Sequence, residues 1–338
     1  MSSSINEKQI RTNADINIEL WKEFVRNHPS GNIFQTAEMY DVYLHTDHNE
    51  PIAIACLENN SIIGIILAVI VYNGPSFAKA LTSRSLIIGG PLVKNDNQSV
   101  LDLLLLEYKK RLPHHVVYTE IRPIFDPKSI TPSLINRDYF RQGHYNLMMD
   151  ISSDLQDLWN NMHKERRRNV RKAQGLGLVF KEISTPEEID KVITLIRRTY
   201  NRKRVPLSYE DTLKQAFHFL SDHIRFFAAY HDEIMIAGQI RLYYKNLAYA
   251  WFAGSDETYF KMYPNDFLMW NVISWSHEHG YSLFDFGGGG EPGIQYGVRD
   301  YKLKYGCEMF DYGRFLNIHH PFLFWMGKTA VKVLGMKK

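Results

Sequence analysis

One order of predicted elements occurs twice along this chain, and it restricts the fold more than any other feature of the sequence. In each half, two helices precede a β-hairpin, and a third helix then leads into one more strand. The hairpin strands are 51–57 and 61–72 in the first half, and 224–230 and 234–244 in the second. The second strand of each hairpin contains one glycine, Gly64 or Gly238, and these lie 174 positions apart (238 − 64). The repetition predicts two α/β units, each of about half the chain.

The other helices and strands keep the same order and a similar spacing. The helices before the hairpins are 18–28, 36–46, 186–200 and 209–220, and those after them are 99–111 and 265–280. The strands that follow start at His115 and Tyr281, which are 166 positions apart (281 − 115). Because 338 residues suffice for two domains, we predict domains at 1–150 and 151–318 and a C-terminal helix at 319–338. Chance similarity between α/β segments is the alternative explanation of the repeat.

The overall composition is that of a soluble globular protein, with 45% hydrophobic and 23% charged residues. The net charge of +3 is too small to require a nucleic acid as partner, so any basic surface must be local. Two cysteines, Cys56 and Cys307, in a chain of this length are typical of a reducing compartment. No apolar signal segment is visible, and the most apolar run, 62–72, is too short to span a bilayer. We therefore expect a cytoplasmic protein, with contact at the inner face of the membrane left open.

A glycine-rich segment late in the chain is the strongest indication of a functional site. The apolar run 281–286 predicts a strand, in which Asp285 is the one acidic residue, and four glycines follow it directly. Shortly afterwards, Lys302 and Lys304 stand between aromatic residues, the first of which is Tyr301. Glycines let a backbone approach a ligand closely, and lysines supply charge where the oxygen anions of a substrate would lie. A flexible loop with solvated lysines, capped by the carboxylate, is the alternative.

Two clusters of cations lie at the ends of predicted helices in the second half. The first closes a predicted helix at 154–173 and consists of Lys164, Arg166, Arg167, Arg168, Arg171 and Lys172. The second precedes Pro206 and consists of Arg197, Arg198, Arg202, Lys203 and Arg204. Cations at a helix C-terminus are favourable through the macrodipole alone, so solvated helix ends are one interpretation. The other is contact with the phosphate or carboxylate groups of an anionic substrate or a nucleic acid.

Other common site motifs do not occur in this sequence. His277 and His279 are two residues apart, which places them on different helix faces rather than at the i, i+4 spacing of zinc helices. The sequence contains no phosphate-binding loop, no nucleophile elbow and no dinucleotide fingerprint. We therefore predict neither a metal nor a bound cofactor.

The C-terminal segment 320–338 is apolar and basic at once. Its apolar residues include Phe322, Trp325 and Met326, whereas Lys328 and Lys332 stand about one helical turn apart. This combination is typical of an interfacial helix that lies on an anionic membrane. A terminal helix packed on its own domain is the alternative.

Three short stretches carry a resemblance to a known family. They are the basic run 166–173 with Gly175 after it, the run Thr199-Tyr200-Asn201-Arg202, and Phe284-Asp285-Phe286-Gly287 continuing to Tyr301-Lys302 and Tyr305-Gly306. Together they resemble the Fem family of peptidoglycan-bridge aminoacyltransferases and the wider group of GNAT-like proteins. The resemblance spans essentially the whole chain. It implies an α/β (α+β) fold of two tandem GNAT-like domains, each a mixed, mostly antiparallel sheet flanked by helices.

The activity that this resemblance implies is amide-bond formation by an acyltransferase. An amine on a cell-wall precursor would attack the ester carbonyl of an aminoacyl-tRNA, and Lys302 would stabilise the negative charge that develops on oxygen. The residues implied to bind substrate are Arg202, Arg204, Asp285, Gly287, Tyr301 and Lys304. The residues implied to face tRNA or another phosphate ligand are Arg166, Arg167, Arg168, Arg171 and Lys172.

The donor and the acceptor stay open in the sequence. Where compact family members place a lysine for the phosphates of the precursor, after Phe34-Gln35, this chain has Tyr40, Asp41 and Tyr43. Related GNAT-like proteins of polysaccharide pathways, for which the donor is held to be acyl-CoA, share the late motifs. We therefore expect aminoacyl-tRNA or acyl-CoA as co-substrate and a nucleotide- or lipid-linked amino sugar or peptide as acceptor. A non-catalytic module that binds a glycan or a lipid carrier is the alternative from another class.

Overall fold

A computed structural model describes residues 8–72, 82–203 and 210–333, with side chains except at 210 and 330–333. The chain divides into two compact units. Of the described residues, the first contains 8–72, 82–143, 218–220 and 312–333, and the second contains 144–203, 210–217 and 221–311. Each unit is a mixed sheet with helices packed on it, which confirms the predicted fold class.

The described elements follow the order expected from the sequence. The strands are β1 (Gln9–Thr12), β2 (Asn49–Glu58), β3 (Ser61–Val71), β4 (Arg84–Ile88), β5 (Leu92–Val93), β6 (Tyr118–Arg122), β7 (Phe140–Gln142), β8 (Tyr145–Asp150), β9 (Val179–Ile183), β10 (Ile224–His231), β11 (Ile234–Tyr244), β12 (Leu247–Ser255), β13 (Leu283–Gly290), β14 (Glu308–Asp311) and β15 (Arg314–Ile318). The helices are α1 (Ile18–Asn27), α2 (Ala37–Leu44), α3 (Gln98–Arg111), α4 (Thr131–Asn136), α5 (Leu155–Asn161), α6 (Lys164–Gly175), α7 (Pro186–Arg202), α8 (Glu210–Phe219), α9 (Pro264–Glu278), α10 (Gly297–Leu303) and α11 (Pro321–Val333).

The main paths of the two sheets have the same arrangement of parallel and antiparallel strand pairs. The first is ordered β1-β2-β3-β4-β6-β15-β7, with β5 beside β3, and the second is β9-β10-β11-β12-β13-β8-β14. In each sheet one adjacent pair is parallel, β4 with β6 and β12 with β13, and the other adjacent pairs are antiparallel. The topology therefore supports the duplication read from the sequence.

A β-bulge at the same place in both hairpins fixes the register of the repeat. In the first hairpin Cys56 pairs with Gly64 and Leu57 with Ile62, so Ile63 is the extra residue. In the second, Ala229 pairs with Ala237 and Tyr230 with Met235, so Ile236 is the extra residue. The two bulges are 173 positions apart (236 − 63), as are the first residues of β3 and β11 (234 − 61).

This register corrects the equivalence of the two hairpin glycines. At an offset of 173, Gly64 corresponds to Ala237 and not to Gly238. A one-residue shift moves a side chain to the opposite face of a sheet. Accordingly, a Cβ at Gly64 would lie 2.8 Å from the Val100 side chain of α3, whereas one at Gly238 would lie 2.8 Å from Val192 of α7. Each glycine therefore lets a helix pack closely on its sheet, but the two helices pack on different faces.

The unit boundary and the predicted domain boundaries differ by one strand at each end. Strand β8 lies before the predicted boundary at 150, yet it pairs with β13 and β14 in the second sheet. Strand β15 lies before the predicted boundary at 318, yet it pairs with β6 and β7 in the first sheet. Backbone pairing with a distant strand is not visible in a local hydrophobic pattern, which is why the sequence did not separate these strands.

Two local predictions also differ from the structure. The predicted helix 154–173 is two helices, because Met162 and His163 are both non-helical. His163 caps the start of α6, where its Nδ1 accepts a hydrogen bond from the Glu165 N–H at 3.3 Å. The four glycines at 287–290 belong to β13 rather than to a loop after it. Within the described ranges, none of the helices is both long and apolar enough to cross a membrane.

The contact between α7 and β12 yields a stability prediction. A Cβ at Gly254 would lie 2.5 Å from the backbone N and Cα of Ile196, which cannot move independently of α7. We expect Gly254→Ala to lower the free energy of unfolding by about 1–3 kcal/mol or more, as overpacking of a tight contact does. At Gly175 nothing lies within 4 Å of an added Cβ, so Gly175→Ala should leave the free energy within ~1 kcal/mol of wild type.

The measurement is urea denaturation of both variants, followed by tryptophan fluorescence and circular dichroism. Equal stability of Gly254→Ala and wild type would contradict the close packing of α7 on β12.

Candidate active site

The parallel strands β12 and β13 part after a short pairing. They pair only at Leu247 with Leu283, Ala248 with Phe284 and Tyr249 with Asp285, although β12 continues to Ser255 and β13 to Gly290. In the first unit, the corresponding strands β4 and β6 pair along all five residues of each. After Tyr249 the edge of β12 that faces β13 is therefore open, and an extended ligand can hydrogen-bond to such an edge. We call this opening the split.

Glycines give β13 the curvature that opens the split. Gly287 and Gly290 have φ of +78° and +77°, a region that only glycine adopts readily. The pairing of β13 with β8 shifts register between Asp285 and Gly288 and again between Gly288 and Gly290, as bulges do when they bend a strand. A Cβ at Gly288 would also lie 2.9 Å from His144 Nε2. The run of glycines is thus required by conformation and by space.

Asp285 is fully buried at the point where the strands part. Its Oδ1 accepts a hydrogen bond from the Gly287 N–H at 2.5 Å, whereas its Oδ2 has no hydrogen-bond partner within the described part of the chain. Burial raises the pKa of this carboxyl to about 6, and the Gly287 N–H and the nearby Lys302 and Arg241 act in the opposite direction. The free oxygen gives the split one acceptor that no protein group satisfies.

Lys302 is carried by α10 to the same place. Its Nζ donates a hydrogen bond to the Gly288 carbonyl at 3.0 Å and lies 3.7 Å from the position of a Cβ at Gly287. Burial lowers the pKa of the Lys302 ammonium to about 8, while the Asp285 carboxylate favours the charged form. The structure thus brings together three of the predicted residues, Lys302, Asp285 and Gly287.

Arg241 on β11 is a member of this cluster that the sequence analysis missed. The residue is only 1% exposed, and its guanidinium donates to the backbone carbonyl of Asp285 at 3.3 Å and to Gln239 Oε1 at 3.1 Å. Its Cζ lies 4.2 Å from the centre of the Phe284 ring, and burial lowers its pKa to about 10. The sequence feature that could have indicated it is the pair Gln239 and Arg241, two residues apart in the otherwise apolar strand β11.

The hydroxyls of Tyr301 and Tyr305 belong to a polar network. Their hydroxyls are 2.8 Å apart, and the Tyr305 hydroxyl donates to Asp266 Oδ1 at 2.7 Å. The same carboxylate accepts from Arg166 at 2.5 Å and from the Asn169 amide at 2.7 Å. Because the tyrosines are four residues apart on α10 and around its end, they anchor the segment from which Lys302 projects in another direction.

Two predicted ligand-binding cations have partners inside the protein instead. Arg166, predicted to face phosphate, is 8% exposed, is paired with Asp266 and lies 4.8 Å from the Tyr301 ring centre. Lys304, predicted to bind substrate, donates to Glu165 Oε2 at 2.6 Å. Both contacts tie α6 to elements around the split. The sequence placed these residues in a functional cluster but could not distinguish a partner in the protein from one in a ligand.

The remaining cations of the first cluster form one exposed surface. It consists of Lys164, Arg167, Arg168, Arg171 and Lys172, which line an open depression of about 460 Å³ and which we call the basic face. These positions recur at the spacing of a single helix face. None of the five has a carboxylate partner among the residues that the structure describes. Arg171 lies 5.3 Å from the Trp159 ring centre and Lys172 lies 5.7 Å from that of Tyr263.

The second cluster of cations is only partly described. Arg202 pairs with Glu257 at 3.2 Å and lies 5.1 Å from the Phe260 ring centre, so its guanidinium is held over the loop after β12. The positive charge of Lys203 contributes to lowering the pKa of the Lys302 ammonium. Arg204, predicted to bind substrate, lies outside the described residues.

A cavity of about 690 Å³ in the first unit contains none of the predicted site residues. It is lined by α1 and the turn after it, by the start of β3, and by the loops at 93–96 and 126–129. Its size is that of a small-molecule site, but its lining mixes acids, lysines and hydroxyls without a clear chemical preference.

Arg166 and Arg168 stand two residues apart on α6, and we expect their replacement by alanine to change the stability of the protein by very different amounts. Arg166→Ala leaves the buried Asp266 carboxylate without its cation, so we expect the free energy of unfolding to fall by about 3–5 kcal/mol. Arg168→Ala removes an exposed side chain that has no carboxylate partner among the described residues. It should change the free energy of unfolding by less than ~0.5 kcal/mol. Urea denaturation of both variants gives the comparison, and equal effects would contradict the assignment of Arg166 to the core.

Comparison with known proteins agrees with the fold. Residues 160–303 match the family model described as Acetyltransferase (GNAT) domain. No curated protein matches the sequence.

Solved structures resemble almost the entire chain. The crystal structure of FemX is 15% identical, with a TM-score of 0.73 over 95% of this chain and 99% of FemX. The C-terminal domain of a putative lysylphosphatidylglycerol synthetase from Agrobacterium fabrum is 12% identical, with a TM-score of 0.59 over 93% and 96%. A tandem GNAT protein from the clavulanic acid biosynthesis pathway is 11% identical, with a TM-score of 0.57 over 93% and 99%.

At these identities the structures establish the fold, and the family model establishes the domain that contains the split. The predicted Fem-like, tandem GNAT architecture is confirmed at that level. This chain therefore has the fold of FemX, and its residues 160–303, which include the split, match the GNAT acetyltransferase domain.

Proposed function

We propose that the protein forms an amide bond by transferring an aminoacyl group from an ester donor, bound in the split, to an amine. The observation that carries this proposal is the position of Lys302, whose ammonium is fixed at the open edge between β12 and β13. An ammonium has three donors, and Gly288 occupies one. The other two can bind the carbonyl oxygen of an acyl group that enters along the open edge.

The chemistry assigned to Lys302 is electrostatic. The amine nitrogen attacks the ester carbonyl carbon, the carbonyl oxygen becomes an oxyanion, and the ammonium donates to it as charge develops. When this tetrahedral intermediate collapses, the new C–N bond is retained and the C–O bond to the ribose oxygen of the donor breaks. The proton lost by the amine is transferred to that ribose oxygen. The nearby Asp285 carboxylate favours the charged form of Lys302, which desolvation would otherwise disfavour.

Electrostatics around the split favours a tRNA donor over acyl-CoA. The helix that follows β12 is α9, whose N-terminus is the nearest one along the chain to the open strand. Helix N-termini bind pyrophosphate through free N–H groups. Here Pro264 provides no N–H, and the Asp266 and Phe267 N–H groups already donate to the Tyr263 carbonyl. In contrast, the basic face offers five unpaired cations on one side of α6, as a phosphate backbone requires.

The acceptor proposed is an amino-bearing precursor of the cell envelope. FemX and the putative lysylphosphatidylglycerol synthetase share the fold of this chain, and the second is named for placing a lysyl group on a membrane lipid. The shared fold supports this class of reaction only by analogy. The acetyltransferase name of the matching domain model supports a second candidate, in which acyl-CoA is the donor.

A transfer assay separates these candidates. The purified chain is incubated with total tRNA charged with radiolabelled amino acids, or with labelled acetyl-CoA, and with a nucleotide-linked muropeptide that carries a free lysine amine. We expect label from tRNA, but not from acetyl-CoA, in an alkali-stable amide. Lys302→Ala should reduce this transfer by about 10²–10³-fold, as loss of an oxyanion donor does.

Each result bears on a different candidate. Transfer from acetyl-CoA alone would replace the tRNA donor by CoA. Absence of transfer from either donor, with the muropeptide bound, would favour a non-catalytic binding module.

The pH dependence of transfer tests the protonation state of Lys302. Since its pKa is lowered to about 8, the protonated form and hence the rate should decline above that pH. Lys302→Arg keeps a cation whose intrinsic pKa is much higher than that of lysine, so the decline should move to higher pH even if the rate is lower overall. Single-turnover rates, corrected for spontaneous ester hydrolysis, give the profiles. An identical alkaline limb in both proteins would contradict the role assigned to Lys302.

The salt dependence of tRNA binding tests the basic face. If Arg168 and Lys172 each neutralise a phosphate, then the double variant Arg168→Ala/Lys172→Ala should bind charged tRNA more weakly. Its slope of log affinity against log salt should be shallower by about 1–2. Lys191→Ala removes an exposed lysine of α7 outside the basic face and serves as control. Filter binding over a range of KCl gives the slopes, and a double variant with the wild-type slope would exclude this surface.

A further inference from the structure

Among the described residues of helix α11, the contacts with the first unit lie at its beginning. The His319 and His320 N–H groups both donate to the Val117 carbonyl, at 2.9 and 3.1 Å, just before the helix starts. In its first turn, the Phe324 ring packs edge-on against Tyr118 with 5.1 Å between ring centres. Leu323 and Phe324 are therefore half-buried, whereas the described side chains from Trp325 to Thr329 are exposed.

The exposed side of α11 carries large apolar side chains. Phe322 is 70% exposed, Trp325 is 63% exposed and Met326 is 44% exposed. Their spacing of three and four residues places them on one side of the helix. Isolated exposed apolar residues are common on soluble proteins, but three on one helical face form a patch that indicates an interaction surface.

The charges of the same segment are all of one sign. Residues 319–338 contain four lysines and no aspartate or glutamate. The Lys328 ammonium lies 4.9 Å from the Phe324 ring centre, at the border between the half-buried and the exposed part of the helix. Aromatic side chains beside lysines, without acids, match the boundary of an anionic bilayer, which takes up rings and attracts cations.

We propose that α11 is an interfacial helix that binds the surface of an anionic lipid bilayer, with Phe322, Trp325 and Met326 inserted into the headgroup boundary. A second copy of the chain fits less well as occupant, because a symmetric contact would bring two acid-free, lysine-bearing segments together. The inference rests on the helix alone and does not depend on the transfer reaction. It would place the protein beside acceptors that are carried by lipids.

Vesicle sedimentation of the full chain tests the proposal. We expect binding to vesicles of equal parts phosphatidylglycerol and phosphatidylcholine, weaker binding to phosphatidylcholine alone, and weakening by salt. Trp325→Glu should lower the apparent vesicle affinity at least ~10-fold, because it removes an inserted ring and adds a charge that anionic lipid repels. Ile135→Glu, at a side chain that is 57% exposed on α4, provides a matched control and should bind like wild type.

The outcomes that overturn the proposal are distinct. If wild type stays in solution with both kinds of vesicle, or Trp325→Glu and Ile135→Glu bind equally, α11 is not the membrane contact. If sedimentation velocity shows that wild type self-associates and Trp325→Glu does not, the occupant is a second copy. Unchanged circular dichroism of both variants ensures that the comparison concerns folded protein.

Discussion

Arg241 and Lys302 donate to backbone carbonyls of β13 at the point where it parts from β12, and the rest of the site depends on these contacts. Where strands part, backbone carbonyls lose their ladder partners, and a buried carbonyl without a partner is costly. Arg241 donates to the Asp285 carbonyl and Lys302 donates to the Gly288 carbonyl, on either side of the first bend in β13. The nearby Asp285 carboxylate favours the charged form of both cations. The split is thus stabilised by the same lysine that the proposed reaction uses.

The two units differ in whether the parallel strand pair of the sheet opens. Both sheets contain a parallel pair at the same position and a hairpin bulge at the same position, but only β12 and β13 part after three residue pairs. The sequence reason is the glycine run of β13, since β6 has Thr119, Glu120 and Ile121 in the middle of its strand. Glu120 is buried between Arg122 and Arg314, whose charges hold its pKa at about 2 despite burial. A closed, ion-paired strand in one unit contrasts with an open strand in the other.

The sequence allowed the fold and part of the site to be predicted, for identifiable reasons. The hairpins and long helices follow from hydrophobic periodicity, and the closeness of Asp285, Gly287 and Lys302 follows from motifs at the end of one strand and in the next helix. Arg241 was missed because it lies on β11, over forty positions before Asp285, and only the sheet brings the two together. Arg166 and Lys304 were assigned to ligands because a sequence shows charges but not their partners, here Asp266 and Glu165. The equivalence of Gly64 and Gly238 was wrong by one residue, which only the bulge positions could reveal.

The central claim is that the acyl group of the donor lies in the split with its carbonyl on Lys302. The most direct measurement is a crystal structure with an aminoacyl-tRNA acceptor-stem analogue in which an amide replaces the labile ester. The account predicts that the aminoacyl group lies between β12 and β13, with its carbonyl oxygen within hydrogen-bonding distance of Lys302 Nζ. The phosphates of the analogue should lie along the basic face. An analogue bound in the cavity of the first unit, or bound with its carbonyl remote from Lys302, would contradict the account.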